Sequence, residues 1–372
     1  MTSNTAAWID APYADLTVRE APLPVATPTQ LVVRVRAVAV NPLDAITQSN
    51  GRLMYRWLAY PVVLGEDVAG EVVSVGGSVT RFVPGDRVFA YAVGMERGRD
   101  QVAEGGFQTF VAVEEGLTAP IPAAMDFADA AVLPLAVSTA ASALFQVDQL
   151  GLSHPSAAAI ERDETVVIWG GSTSVGANAI QLARAAGYAV ITTASPRNHE
   201  RLRALGAAHV FDYRDPDVVE KIAAAARGSK VKGVLAIATG SAEPSVAIAI
   251  ATGAKRVALS SPSVSFYDQP RRGGFSATRA RLMARLITGN VLLQIRCALH
   301  GVRARFVWGS SLMKNEVGRM LWTDHLPSAL ADGRHVPFPA PRIVGTSLAD
   351  VQPALDALRE GTSTVKLVIA PD

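Results

Sequence analysis

The residues richest in chemical information run from Val166 to Gly176: Val-Val-Ile-Trp-Gly-Gly-Ser-Thr-Ser-Val-Gly. An apolar run breaks at Gly170 and Gly171, and a helix-forming stretch starts at once. The start of a helix offers N–H groups without intrahelical acceptors and the positive end of the helix dipole, which suits a pyrophosphate. Gly171 permits the tight turn, and Gly176 lets helix and strand pack closely. The match to G-x-G-x-x-G is imperfect, because Thr173 takes the middle glycine's place. An ordinary strand-to-helix turn is also sometimes glycine-rich. The strand–helix units that follow in register favour a dinucleotide site. A site for NAD usually carries an acid at the end of the second strand, about 20 residues after the first glycine. Here the chain reads Thr192-Thr193-Ala194-Ser195-Pro196-Arg197-Asn198, with no acid before Glu200. Ser195 can donate a hydrogen bond, and Arg197 can pair with a doubly charged 2′-phosphate. This pair predicts NADP(H), against the rival reading that Arg197 merely opens the next helix on the surface.

Such a turn needs a parallel sheet to carry it. From residue 165 the pattern alternates: strands over 165–169, 188–193, 209–211, 231–238 and 256–259, with helices over 175–186, 199–205, 218–226 and 244–251 between them. Repeated units of this length imply a doubly wound parallel sheet. The first third differs. Strands over 31–40, 68–75, 86–90 and 107–113 are punctuated by Asn41-Pro42, Gly76-Gly77-Ser78, Pro84-Gly85-Asp86 and Gly105-Gly106, and predict a small antiparallel barrel. A helix is expected over 126–149, a further one over 316–331, and a last strand over 365–369. Residues 263–309 resume no clean alternation. The expected organisation is a β-rich domain of residues 1–135 and 311–372, and a dinucleotide domain of 136–310 with an insertion around 263–309.

Composition sets outer limits. The chain has 372 residues, 49% of them hydrophobic, enough for two substantial cores. A net charge of +2 gives no global reason to expect nucleic acid as a partner. Cys297 is the single cysteine, so neither an internal disulfide nor a four-cysteine zinc site can form. The N-terminus lacks a basic stretch followed by an apolar run, and no segment reaches the ~20 apolar residues of a spanning helix. The expectation is a cytoplasmic protein without a membrane span, a monomer or a homodimer.

Together these segments resemble the medium-chain dehydrogenase/reductase superfamily, and within it the zinc-independent quinone oxidoreductases and stand-alone, trans-acting polyketide enoyl reductases. The likeness rests on Trp169 to Gly176, Gln181-Leu182-Ala183-Arg184, Ser195 to Asn198 and Phe211-Asp212-Tyr213-Arg214. It extends to Asn41-Pro42-Leu43-Asp44, Gly65 to Val72, Val83 to Val88 and Gly105 to Gln108. It covers nearly the whole chain and weakens over 263–309. It implies an α/β fold: a GroES-like β-rich barrel domain plus a Rossmann domain. It also implies that Ser172, Thr173, Ser174 and Val175 line the pyrophosphate. Ser195, Arg197 and Tyr213 would hold the 2′-phosphate and its ribose. Asn41 and Asp44 would line the nicotinamide pocket, Thr139 would sit near the nicotinamide, and Lys366 would be a basic residue near the cofactor.

Zinc-dependent relatives use a cysteine, a Gly-His-Glu segment and a later Cys or Asp. Asn41 to Asp44 contains no cysteine, and Gly65-Glu66-Asp67 supplies no imidazole. Glu66 and Asp67 are adjacent and would face opposite sides of a strand. The six histidines are scattered, with no close pair. A catalytic zinc needs about three protein ligands, so no metal is expected. Without that Lewis acid, alcohol oxidation loses its alkoxide stabiliser. Reduction of an α,β-unsaturated carbonyl needs less: hydride reaches the β carbon, and a few donors stabilise the enolate oxygen. Candidate donors are Asn41, Tyr55, Tyr60 and backbone amides. Relatives often carry a lysine soon after N-P-x-D, but Ala45 and Ile46 follow here, which leaves the proton route open.

Between Arg271 and Arg305 lie eight arginines (271, 272, 279, 281, 285, 296, 303 and 305) and no acid. Arg281 and Arg285 would share a helix face, with Leu282, Met283, Leu286 and Ile287 on another. Three readings stay open: recognition of an anionic carrier such as coenzyme A or an acyl carrier protein, a solvated face at a sheet edge or oligomer interface, and contact with anionic lipid. The leading functional expectation is an NADPH-dependent enoyl reductase acting on an acyl thioester. The rivals are an NADPH:quinone oxidoreductase and a non-catalytic NADPH-binding structural or sensor protein.

Overall fold

The computed structural model describes residues 3–156, 161–262, 264, 266, 271, 276–361 and 364–371. Two compact units emerge. One comprises Met1–Leu135 and Trp322–Asp372 with part of the 263–275 segment; the other comprises Ala136–Ser265 and Ser276–Leu321. The return to the first unit thus comes at residue 322 rather than 311. The reason is local: Ser142 Oγ donates to the Gly309 carbonyl at 2.9 Å, and Gln146 Nε2 to Ser311 Oγ at 2.8 Å, which ties residues 309–311 to the helix Pro134–Phe145.

The first unit is β-rich, as its valine-dense, turn-punctuated sequence requires. Its main sheet has the order Ala340–Gly345, Val365–Ile369, Gln30–Ala39, Asp67–Val75, Arg87–Tyr91, Thr118–Pro120, with Phe110–Glu114 also paired to Gln30–Ala39. Neighbours are antiparallel except Ala340–Gly345 beside Val365–Ile369. A smaller sheet joins Leu16–Ala21, Asn4–Ile9 and Val62–Val63. Pro42, read above as the end of a strand, also opens a helix, Pro42–Asn50. Proline suits a first helical turn, where its missing N–H has no partner to lose. This helix docks on the C-terminal helix Val351–Glu360: Gln48 Nε2 donates to Gln352 Oε1 at 2.7 Å, and Arg359 Nη2 to the Ala45 carbonyl at 3.3 Å.

The second unit is a doubly wound, six-stranded parallel sheet. Its order is His209–Phe211, Ala189–Thr193, Glu164–Trp169, Lys230–Ala236, Arg256–Leu259, Arg303–Phe306. The four inner strands are largely buried on both faces and read as apolar runs, as a helix-covered parallel sheet demands. The sixth strand was not legible. Residues 277–306 carry a helix, Ala277–Leu299, and then the edge strand Arg303–Phe306, parallel to Arg256–Leu259. Much of the expected insertion is therefore one more crossover of the same sheet. Two expected helices are interrupted. Pro134, unable to donate, separates Phe127–Ala131 from Pro134–Phe145, and a π-helical turn, Met320–His325, divides Glu316–Arg319 from Leu326–Ala331.

Candidate functional site

In the second unit, the strand Glu164–Trp169 delivers Gly170 to the start of the helix Ser174–Ala185. Gly170 has φ +90°, a region costly for any residue with a Cβ. A Cβ on Gly176 would stand 2.3 Å from the Gly170 carbonyl oxygen, so strand and helix meet at a distance only glycine allows. Thr173 is not a defect in this turn. Its hydroxyl accepts from the Gly176 N–H at 3.0 Å and donates to the Gly170 carbonyl at 2.8 Å, which makes it the N-cap. A second glycine there would supply neither bond. Ser172, Ser174 and Val175 are half-buried around the helix start, where N–H groups lack intrahelical acceptors.

The end of the next strand, Ala189–Thr193, opens a cleft of about 370 Å³ lined by Ser195, Pro196, Arg197, Tyr213 and Arg214. Three residues chosen from sequence, Ser195, Arg197 and Tyr213, thus share one cleft. Arg214 joins them. Its guanidinium lies 5.4 Å from the Tyr213 ring centroid, and its Nε donates to Asp212 Oδ1 at 3.2 Å. Among the described residues, those that line the cleft include no carboxylate, although the Asp212 carboxylate is bound to Arg214. Thr139 is half-buried in the same unit, close to the Gly309 backbone: a Cβ on Gly309 would meet Thr139 Oγ1 at 2.5 Å.

The first unit gathers a buried polar cluster. Asp67, fully buried, accepts from Asn41 Nδ2 at 2.8 Å, from the Leu135 N–H at 2.6 Å and from the Lys366 ammonium. Lys366 also donates to the Val132 carbonyl at 3.1 Å. Its charge is therefore engaged with Asp67, the carboxylate that also holds Asn41. Asp44, also fully buried, accepts from the Asn41 N–H at 2.9 Å and the Gly65 N–H at 3.2 Å. Burial is the largest influence on its carboxyl and raises its pKa to about 7, with Asp67 adding and the two N–H donors opposing. Glu66 accepts from the Tyr91 hydroxyl at 3.3 Å, and burial with its acidic neighbours holds its carboxyl well above the usual range. Burial likewise raises the Tyr55 phenol, whose ring packs edge-on against Trp57 at 5.7 Å.

Comparison with known proteins agrees with this arrangement. Residues 27–123 match the alcohol dehydrogenase GroES-like domain, and residues 174–264 match the zinc-binding dehydrogenase family. The dehydrogenase pigH of Monascus ruber is 43% identical over 100% of both chains. The trans-enoyl reductase himH of Aspergillus japonicus is 37% identical over 91% of this chain and 89% of its own. The crystal structure of an alcohol dehydrogenase superfamily protein from Novosphingobium aromaticivorans has 26% identity and a TM-score of 0.72, covering 100% of both chains. The chain belongs to the medium-chain dehydrogenase/reductase family.

As a medium-chain dehydrogenase/reductase it is an oxidoreductase of an NAD(P)-binding family. The residues fit such a dinucleotide: the glycine cradle at 170 and 176 leaves room that a Cβ would fill, and the capped helix start points donors at it. Among the described residues, no three His, Cys, Asp or Glu side chains are grouped so as to hold a metal ion. In this medium-chain dehydrogenase/reductase, sequence distance also hid a histidine pair. His325 and His335 are both buried, with ring centroids 6.3 Å apart and planes at 87°. Burial depresses their pKa values to about 4 and about 3. Arg214 was the missed member of the cleft; its adjacency to Tyr213 was the signal that would have found it.

Proposed function

We propose that this chain is an NADPH-dependent, zinc-free enoyl reductase acting on an α,β-unsaturated acyl thioester or carbonyl. The observation that carries the cofactor half is the cleft of Ser195, Arg197, Tyr213 and Arg214 with no carboxylate in its lining. An acid in the lining would accept a ribose hydroxyl and repel a 2′-phosphate; the Arg197 guanidinium and the Ser195 hydroxyl do the reverse, with Arg214 beside them sharing its charge with Asp212. The acceptor half is supported by kinship over most of the chain with a protein named as a trans-enoyl reductase.

Bound NADPH supplies the hydride. The chain's own groups have separate tasks. Ser195 Oγ and the guanidiniums of Arg197 and Arg214 bind the 2′-phosphate, and Tyr213 flanks the ribose. The backbone of Ser172 to Val175 holds the pyrophosphate, with Thr173 fixing the helix start. Asn41 is a donor toward a developing enolate oxygen: one of its amide hydrogens is taken by Asp67, and the amide carries a second. Tyr55 is the other donor, its phenol kept protonated by burial. Thr139 lies on the nicotinamide side. Asp44 and Lys366 are positioning residues: Asp44 fixes the Asn41 backbone, and Lys366 balances the charge of Asp67.

The test is a fluorescence titration with NADPH and NADH, followed by turnover on an enoyl-CoA, a carrier-bound enoyl chain and a quinone. The reading requires tighter NADPH binding and turnover of the thioesters. Equal affinity for both cofactors overturns the cleft assignment. Turnover of the quinone alone makes the chain a quinone oxidoreductase, and tight NADPH binding with no acceptor makes it a binding protein.

A further inference from the structure

The helix Ala277–Leu299 has two apolar faces, and the fold uses one. Leu293 and Cys297 are buried in the core beneath the sheet edge, together with Val302 and Ala304. Gln294 Nε2 fastens the helix to the edge strand through the Ala304 carbonyl at 3.2 Å. Two positions along a helix is about 200° around it, so Ile295 faces away from Leu293. Ile287, Val291, Ile295 and Leu299 follow one another at i,i+4 and form a single stripe on that outer side. They are 59, 52, 52 and 78% exposed, and Leu292 beside them is 67% exposed. Five large aliphatics in one contiguous exposed row mark an interaction surface rather than chance. Arg281, Arg285 and Arg296 flank the stripe, all exposed, and no acid occurs between residues 271 and 305. Arg272 belongs to the same basic run and lies outside the described residues; Arg271 pairs with Asp15 in the first unit at 2.6 Å.

We propose that this ridge docks on an anionic lipid bilayer surface, with the aliphatic stripe entering the headgroup boundary and the arginines meeting lipid phosphates. The helix spans about 35 Å and is long and apolar enough to cross a membrane by composition. Its inner face is fixed to the sheet, however, so it lies along the surface rather than across the bilayer. Charge complementarity names the occupant. A second copy docking isologously would set arginines against arginines, with no acid in the patch to pair them. Protein hot spots are rich in Trp and Tyr and poor in Leu and Val, whereas this ridge has no aromatic residue. Aliphatics on one side and arginines beside them are what an interfacial helix presents.

The measurement is flotation of the full-length protein with vesicles of phosphatidylcholine alone or mixed with phosphatidylserine, at low and high salt. The proposal expects binding to the mixed vesicles only, lost at high salt as screening shortens the reach of the charges. Replacing Arg281, Arg285 and Arg296 together by Gln should weaken binding by about a hundredfold. The pair Ile287→Ser and Ile295→Ser should abolish it while leaving the melting temperature unchanged, since both side chains are exposed. No flotation of the wild type with mixed vesicles at low salt overturns the proposal. So does flotation undiminished in both variants. A concentration-dependent dimer that the serine pair abolishes would assign the ridge to a second copy. An acidic carrier domain bound in the absence of any vesicle binding would assign it to a protein. Either of those results also overturns the proposal.

Discussion

At the scale of single residues, charge placement does most of the explaining. Arg197 and Arg214 line a cleft without a carboxylate, so both should contribute to phosphate binding. Replacing both by Ala is expected to raise KM for NADPH by ~100-fold and leave kcat nearly unchanged, as loss of uniform binding requires. Steady-state kinetics with both cofactors checks this, and KM for NADH should not move. Lys366 faces a different demand. It balances Asp67 in a buried site, and removing one partner of a buried pair leaves an uncompensated charge. Lys366→Met should therefore destabilise by about 3–5 kcal/mol, read from urea denaturation. The glycine turn was legible because local chain geometry fixes it, and the same short-range spacing set Ser195 and Arg197 in one cleft. Lys366 and Asp67 were not, because 299 positions separate them and no local rule pairs them.

At the scale of elements, the dinucleotide sheet was readable from apolar runs separated by helical spacing. The strand Arg256–Leu259 falls where the pattern placed it, and so does the C-terminal Val365–Ile369. Residues 277–299 carry apolar residues on two faces and arginines between them, so no single amphipathic period emerges. A polar edge strand, Arg303–Phe306, is hard to recognise because one side of it faces solvent. Pro42 was read as a stop although a proline also opens helices. Thr173 was read as a departure from a motif, and its cap role needed the fold. Thr173→Ala deletes that cap and should cost about 1 kcal/mol, measured by thermal unfolding. Cofactor affinity should fall with it if, as proposed, the same turn holds the pyrophosphate.

At the scale of the whole molecule, a buried pair of histidines contributes one component of the response to acid. His325 and His335 titrate at about 4 and about 3 when folded, below their ordinary value of 6.5. A group whose folded pKa is depressed contributes stability that is complete above its unfolded pKa and is lost as pH falls through the folded one. The contribution of each histidine should therefore fall by roughly 2–3 kcal/mol between pH 6.5 and 4, while Asp44 and Glu66, whose carboxyls are raised in the folded chain, act in the opposite direction. In the double variant His325→Asn, His335→Asn that component should vanish, so its stability difference from the wild type should shrink as pH falls. Denaturant midpoints taken across this window decide the matter.

The central claim concerns where the hydride goes. It is tested most directly by running the enzyme on a 2-enoyl thioester with NADPH deuterated at the transferable position of its nicotinamide. A saturated acyl product with one deuterium at its β carbon is expected, with slower turnover from the deuterated NADPH than from the protiated cofactor. Product without deuterium on the acyl chain, or NADPH consumed only when a quinone is present, would contradict it.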